Sequence, residues 1–560
     1  MKVVRSIFRL IKICLSTTEG KIGIIFYAAV FALNIVGIKV SLELINWNKH
    51  FYNALEKYDT QAAFHQVKLF ALLVAISSLI YLVSQYLQKL LQIRWRKVLT
   101  EKALNMWLKD KNYWYLSSSD KSELDNPDQR IAEDCKTFIE HLTGTTQELL
   151  NRCIGLVTYT VVLWNIASYA LSFTLFGMHI TIPHYMVWAA PIYVAISSIV
   201  THLLGVPLIK INVEQKRREA DFRFSLTRFR ESKEAVALQS GEKVEREIMD
   251  ERFLKIIKNW RKLIKRDFIL GCFTRPYMAT ILRIPVFLAL PAYLFGKVTL
   301  GSMMQMSSAF QNVATSLSWF IFSYRDLASL AASSVRFDSF LNAAESFKYD
   351  YKQLSKRRNA LGVKSLALYS PENKLLFSID DANISKGDTV LVKGCSGKGK
   401  STLFKTFAGL HHNYTGTVTV PENKSMFLPQ KAYFPLGGLA HAVSYPNKLS
   451  EDKIPEIKEI LQKVNFPYKD VEKRLMQYDM SQLSGGEQQR LVVARILFNK
   501  PEWIFMDEST NALDYESEKF LIELMQNELP DSTYVIVSHS DAVNEYAKNY
   551  YQLNLDAVQC

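Results

Sequence analysis

The chain has 560 residues, with 68 Lys and Arg against 54 Asp and Glu and a formal net charge of +14. That length exceeds one core and calls for two or three domains. The basic balance is compatible with nucleic-acid binding, but the cations cluster between hydrophobic spans, where cytoplasmic loops of membrane proteins carry them, so no nucleic-acid partner is expected. Cys14, Cys135, Cys153, Cys272, Cys395 and Cys560 never form a CxxC pair, and neither a zinc site nor a disulfide framework is signalled.

In chain order, residues 1–20 space Lys2, Arg5, Arg9 and Lys12 through an apolar segment without a small-residue cleavage site, which predicts a basic amphipathic helix on the inner membrane surface. A bilayer core about 30 Å thick needs about 20 apolar helical residues. Charge-free runs of that length place six spans at about 22–42, 67–90, 153–176, 184–209, 268–295 and 298–324, within a permease domain of residues 21–335. Lys89 to Arg152 holds 11 Lys and Arg and Lys210 to Arg266 holds 17, so both segments are expected in the cytoplasm, together with both termini. Their mixed charges and recurring apolar residues predict membrane helices that continue well past the bilayer. Arg275 and Arg283 fall inside the fifth span, eight residues apart and within about 80° on an uninterrupted helix. Both are expected to line a water-filled cavity that attracts anionic or polar substrate groups, with snorkelling of Arg275 to the inner interface as an equal alternative. A linker over 336–358 and a soluble domain over 359–560 follow.

From Thr389 an apolar strand runs into Gly394-Cys395-Ser396-Gly397-Lys398-Gly399-Lys400-Ser401 and then a helix, which fits GxxxxGK[ST] in its strand–loop–helix context, and the loop residues together with Thr402 are the ATP-binding candidates. Backbone amides of this loop are expected to cradle the phosphates of ATP, with Lys400 on the β and γ oxygens and Ser401 on Mg²⁺. Cys395 is either a neutral space-filler or an oxidation-sensitive position. Trp503 to Met506 forms an apolar strand ending in Asp507 and Glu508, the first a candidate for the metal shell and the second for the general base that polarises water. An Asp-Glu pair is common at surface loops, but not after a buried strand in a domain that also holds a P-loop.

Leu483-Ser484-Gly485-Gly486-Glu487, within LSGGEQQR, resembles the signature motif of ABC-type ATPases, and the resemblance covers residues 360–553. On it, Gln430 looks like the Q-loop residue that reaches Mg²⁺ and the attacking water, Asp514 in NALD like the D-loop, and His539 like the switch histidine at the γ-phosphate. Tyr369 is the candidate adenine-stacking aromatic, although it stands one position before the usual place, which Ser370 occupies; its alternative is to close a strand. In this family the signature completes the ATP site of the opposite subunit, which implies a homodimer with two composite sites. Asn126, Asp128 and Arg130 in NPDQRI, and Glu234 to Glu242 in the second charged loop, are similar to coupling segments of the group that contains SbmA/BacA-like bacterial importers and peroxisomal fatty-acyl half-transporters. WNKHFYNALEKYD and PAYLFGKVTLGSMMQ resemble its bacterial branch. The fold expected is an α-helical six-span transmembrane domain of the exporter-like type IV ABC class, followed by an α/β P-loop ABC ATPase domain. Implied are lipid surroundings in a bacterial inner membrane, a cytoplasmic ATPase domain, and uptake of peptide- or cobalamin-like compounds, with export or flipping of lipids, acyl-CoA or drugs as the alternative.

Overall fold

The computed structural model describes residues 2–118, 127–167, 171–175, 178–281, 283–346, 354–357, 360–394, 399–422, 424–467, 471–478, 480–538, 540, 543, 545 and 549–552. The chain forms two units, Met1–Phe347 and Lys348–Cys560. The first contains α1 (Lys2–Cys14), α2 (Thr18–Glu56), α3 (Thr60–Leu108), α4 (Asn112–Ser118), α5 (Pro127–Gln129), α6 (Cys135–Ile166), β1 (Leu171–Leu175), β2 (Met178–Ile182), α7 (Tyr185–Glu231), α8 (Lys233–Gln239), α9 (Glu242–Ile281), α10 (Ile284–Leu294), α11 (Leu300–Leu317) and α12 (Trp319–Ser346).

Among the described residues five helical stretches are long and apolar enough to cross a membrane: Thr18–Glu56, Thr60–Leu116, Pro127–Ile166, Tyr185–Glu231 and Glu242–Leu294. The sixth expected span falls on α11 and the start of α12, with a turn at Ser318 between them. Its lower hydropathy has a structural cause. α11 buries Met303, Met306, Ala309, Phe310 and Val313 inside the helical unit, and it also carries Gln305, Ser307, Gln311, Asn312 and Ser316. A helix surrounded by other helices need not be apolar all round, because its polar groups bond to neighbours rather than facing lipid. Gln305 donates to Asn46 Oδ1 at 3.0 Å, and Asn48 donates to Ser308 Oγ at 2.7 Å.

Three expectations on extent need correction. The third span stops at Ile166, short of residue 176, because residues 171–175 pair with 178–182 in an antiparallel hairpin that registers Phe173 opposite Ile180. The fifth is not one helix. Pro285 has no N–H to give the carbonyl of Ile281, so α9 ends there and α10 begins at Ile284 with proline in its first turn. Arg283 sits at this break, and the 80° relation to Arg275 does not apply. In the stretch expected as linker, residues 336–346 continue α12.

α1 buries Ser6, Leu10 and Cys14, at i, i+4 and i+8, while Val4 and Phe8 face outward. Ser6 donates to Asp338 Oδ2 at 2.7 Å and Arg9 to Asp338 Oδ1 at 3.0 Å, which pins α1 to α12. Asp134, buried at the end of a π-helical turn, accepts from Arg130 at 2.8 Å and from Arg336 Nε at 2.9 Å.

The second unit holds a five-stranded sheet ordered β11-β6-β10-β9-β8 and a four-stranded sheet ordered β3-β7-β4-β5. Its elements are β3 (Ser355–Arg357), β4 (Ala360–Tyr369), β5 (Leu375–Ser385), β6 (Thr389–Lys393), α13 (Lys400–Phe407), β7 (Tyr414–Pro421), β8 (Ser425–Leu428), α14 (Leu439–Ser444), α15 (Ile454–Lys463), α16 (Val471–Arg474), α17 (Gly485–Asn499), β9 (Trp503–Asp507), α18 (Tyr515–Glu528), β10 (Thr533–Val537) and β11 (Asn549–Gln552). Every residue of β9 and β10 is buried, as parallel strands covered on both faces require. One core lies between the sheets and α13, around Trp503, Phe505, Phe404 and Val392; the other packs α14, α15, α17 and α18 on the opposite face.

The two segments WNKHFYNALEKYD and VTLGSMMQ meet in the first unit. Asn53 Oδ1 accepts from the amide of Gly301 at 2.9 Å and Glu56 from that of Leu300 at 3.2 Å, so α2 caps the start of α11. A Cβ at position 301 would collide with the carbonyl of Lys49 and with Asn53, whereas one at Gly205 would meet nothing within 4 Å. Gly301→Ala is therefore expected to cost about 1–3 kcal/mol, as overpacking does, and to lower the thermal midpoint of the purified protein; Gly205→Ala serves as the silent control.

Candidate nucleotide-hydrolysing site

Parallel register places three strand ends side by side. Val537 of β10 lies beside Val392 of β6 and beside Asp507 of β9. The loop after β6 is the glycine-rich one, and β9 delivers Asp507 and Glu508. Gly394 and residues Gly399 to Thr402 lie within the described structure; Cys395, Ser396, Gly397 and Lys398 lie outside it, as do His539 and Asn126. Gly399 has φ +94°, a left-handed backbone that glycine adopts without cost, and it opens α13. Lys400 is buried in the first turn, and its ammonium donates to the carbonyl of Gly394 at 2.6 Å, across the loop it is expected to serve. Ser401 and Thr402 follow on the same turn, with the Ser401 side chain exposed.

Asp507 is buried at the end of its strand, and Glu508 turns out of it with φ +50°. A non-glycine residue in this region is strained, and the amide of Glu508 is held by the carbonyl of Val537 at 2.9 Å. Gln430 Nε2 donates to Glu508 Oε2 at 3.0 Å, and Asn511 Nδ2 donates to the same oxygen at 3.1 Å. The geometry thus joins Gln430 and Glu508, which lie 78 positions apart in the chain. Asn511 opens the NALD segment read as the D-loop, but its contact with Glu508 was not expected from the sequence.

Ser484 caps α17. Its hydroxyl accepts from the amide of Glu487 at 3.3 Å, and the Glu487 carboxylate accepts from the amide of Ser484 at 2.8 Å, a reciprocal capping box. Gly485 and Gly486 form the first turn, and a Cβ on Gly485 would press on Ala512 at 3.1 Å. Leu483 is buried in the helical core. Asp514 caps α18 by accepting from the amide of Ser517 at 3.0 Å; that hydrogen bond holds its carboxyl below the ordinary range. Tyr369 ends β4 opposite Leu375 of β5, and the next residue, Leu376, borders Gly399, so the hairpin that carries Tyr369 flanks the P-loop.

In the first unit Asp128, Glu234 and Glu242 are exposed, with Glu234 on the short helix α8, while Arg130 is engaged by Asp134. Arg275 and Arg283 are both exposed.

Sequence reasoning missed Arg495, in the otherwise apolar run LVVARILF. Its Nε donates to Ala442 O at 2.8 Å and Nη2 to Tyr433 O at 2.9 Å, with Phe434 and Tyr445 stacked at 5.2 and 5.3 Å from the guanidinium carbon. Burial lowers its pKa to about 10, so it remains charged at neutral pH. It ties the signature helix to the segment that follows Gln430. Arg495→Met would leave both carbonyls unpaired and is expected to cost about 2–4 kcal/mol, read as a lower thermal midpoint; Arg495→Lys should recover only part of this, because one ammonium cannot reproduce the planar fork.

Residues 10–290 match the family model of ABC transporter transmembrane region 2, and residues 378–511 match that described as ABC transporter. The chain is similar to the inner membrane ABC transporter ATP-binding protein YddA of Escherichia coli, with 32% identity over 537 residues covering 94% of this chain and 93% of that protein. An ABC transporter ATP-binding protein of Haemophilus influenzae is 30% identical over 520 residues, covering 92% of this chain and 86% of the relative. The lysosomal cobalamin transporter ABCD4 of Homo sapiens is 24% identical over 540 residues, covering 89% and 86%.

Proposed function

This chain belongs to the ABC transporter family and couples ATP hydrolysis to transport; on that premise we propose that it carries a peptide- or cobalamin-like solute inward across a bacterial inner membrane as a homodimer with two composite ATP sites. The observation that carries the catalytic part is the convergence of two amides, Gln430 and Asn511, on the Glu508 carboxylate at the end of β9, in the same sheet as the P-loop strand. In this reading Glu508 takes the proton of the attacking water, and the two amides fix its orientation. Gly394 to Thr402, including Cys395, Ser396, Gly397 and Lys398, grip the phosphates, and His539 meets the γ-phosphate. Tyr369 stacks on adenine, while Leu483 to Glu487 act on the ATP of the other subunit and Asp514 lies at the interface. Ser401, Asp507 and Gln430 offer the hard oxygen donors that Mg²⁺ takes, and Asp507 brings a buried carboxylate to the strand end. The cation would neutralise phosphate charge there.

A six-span membrane domain, with α11 as the buried central helix, would form the pathway with a partner subunit. Asn126, Asp128, Arg130, Glu234 and Glu242 remain the coupling candidates, and the ATPase domain faces the cytoplasm. The cobalamin-like class is supported by the human relative, a lysosomal cobalamin transporter. The cavity role of Arg283 is supported by its place at a proline-dictated helix break, because irregular backbone at membrane depth is tolerated only inside protein or along a water-filled cavity.

The test is reconstitution into liposomes with ATP added outside, on inside-out protein, and a panel of cobalamin, proline-rich peptides and acyl-CoA. Glu508→Gln is expected to bind ATP normally and to lose hydrolysis by at least about 100-fold. Efflux of a cobalamin or peptide probe from such vesicles corresponds to uptake in the cell; ATP-driven accumulation of lipid or acyl-CoA inside them would replace this reading with export. Arg283→Ala should abolish movement of the probe while ATP binding stays intact, and unchanged movement removes Arg283 from the pathway.

A further inference from the structure

Glu518 is the fourth residue of α18 and is buried, with 3% of its surface exposed. Its Oε1 accepts from the hydroxyl of Thr510 at 2.6 Å, and its Oε2 accepts from the hydroxyl of Ser540. Among the described residues no Lys, Arg or His lies within ion-pair distance of this carboxylate. A buried carboxylate met only by neutral hydroxyls is costly, and an apolar side chain would fill the same space more cheaply. The placement of its two partners is informative. Thr510 comes two residues after Glu508, and Ser540 directly follows His539 in the chain.

These contacts close a ring. The amide of Glu508 bonds to the carbonyl of Val537 at 2.9 Å, the amide of Ser540 bonds to Ser538 Oγ at 3.0 Å, and Glu518 joins Ser540 to Thr510. The segment 508–510 is thus tethered to the end of β10 at both its ends, and Glu518 supplies the second tether. Without it, the second tether to the end of β10 is lost and the strained left-handed turn at Glu508 keeps the Val537 bond as its link to that strand. We infer that Glu518 is a positioning residue for hydrolysis: its carboxylate holds the segment that carries the general base in fixed relation to the segment that carries the switch histidine. In this role it acts through Thr510 and Ser540. The inference rests on Glu508 as the base and adds a group that none of the nucleotide motifs contains.

Full-length protein in lipid nanodiscs is compared as wild type, Glu518→Ala, Glu518→Gln, Thr510→Val, Ser540→Ala and the Thr510→Val/Ser540→Ala pair, with rates normalised to the fraction that binds a fluorescent ATP analogue. Glu518→Ala is expected to lower kcat by at least about tenfold, with KM for ATP within about threefold. Glu518→Gln bridges both hydroxyls by accepting from one and donating to the other, and should stay within about threefold of wild type. Either hydroxyl deletion breaks the bridge, so the double variant should be no slower than the slower single one. A merely structural role predicts less binding-competent protein but an unchanged kcat per competent molecule. That result, or losses that multiply in the double variant, overturns the inference. Glu508→Gln keeps the two readings apart. If it hydrolyses ATP like wild type, Glu508 is not the base; if it is inactive while Glu518→Ala is normal, only the positioning role fails.

Discussion

The ATPase unit depends on the in-register parallel pairing of β6, β10 and β9, strands buried on both faces. Parallel pairing fixes which residues share a level across the sheet, and here it brings Val392, Val537 and Asp507 level at the carboxyl ends. The glycine-rich loop, the acidic pair and the stretch leading to His539 all begin from that level. A slip of one position in β9 would turn Asp507 to the other face and carry Glu508 away from Gln430. The apolar core around Trp503, Phe505 and Phe404 therefore does more than stabilise the fold, because it sets the alignment on which the chemistry rests.

How much of this was legible in the sequence depended on how local each signal was. Strand β9 could be read from five consecutive buried residues ending in acid, and the P-loop and LSGGE segments from short motifs whose spacing the backbone dictates. The capping box at Ser484 and Glu487 was likewise implicit in an S-x-x-E spacing. Contacts between distant parts of the chain left no such trace. Arg495 meets carbonyls 53 and 62 positions away, and nothing in LVVARILF says where they lie.

In the membrane unit the errors had physical causes. Counting charge-free residues measures hydropathy and not helicity, so in the window between Arg152 and Lys210, which holds parts of α6 and α7, it carries the first helix on to residue 176 although residues 171–175 pair in a hairpin. Proline at position 285 was visible, yet the continuous apolar run around it hid the break at Ile281. Hydropathy also understated α11, where Gln305 and Ser308 bond to α2 while Ser307, Gln311, Asn312 and Ser316 bond within the helix. A central helix is the kind that a lipid-transfer scale reads least well, because its environment is protein.

The pairing of α7 with α9 has a mechanical consequence. Arg252 donates to the carbonyl of Asp221 at 2.7 Å, Arg218 to that of Lys255 at 2.5 Å and Asn259 to that of Ile211 at 3.1 Å, so these three bonds end on main chain, while Asn259 also donates to Gln215 Oε1 at 2.9 Å. Carbonyls are present whatever side chain stands at the receiving position, which frees those positions to vary while the two rods stay clamped. α7 spans 47 residues, about 70 Å at the rise of an α-helix, and its distal tip is bridged to α9 only by α8 and its short flanks. Rods bolted together in this way resist shear along residues 211–221 and 252–259, so over that stretch a push on α8 is carried by both helices and not by one alone.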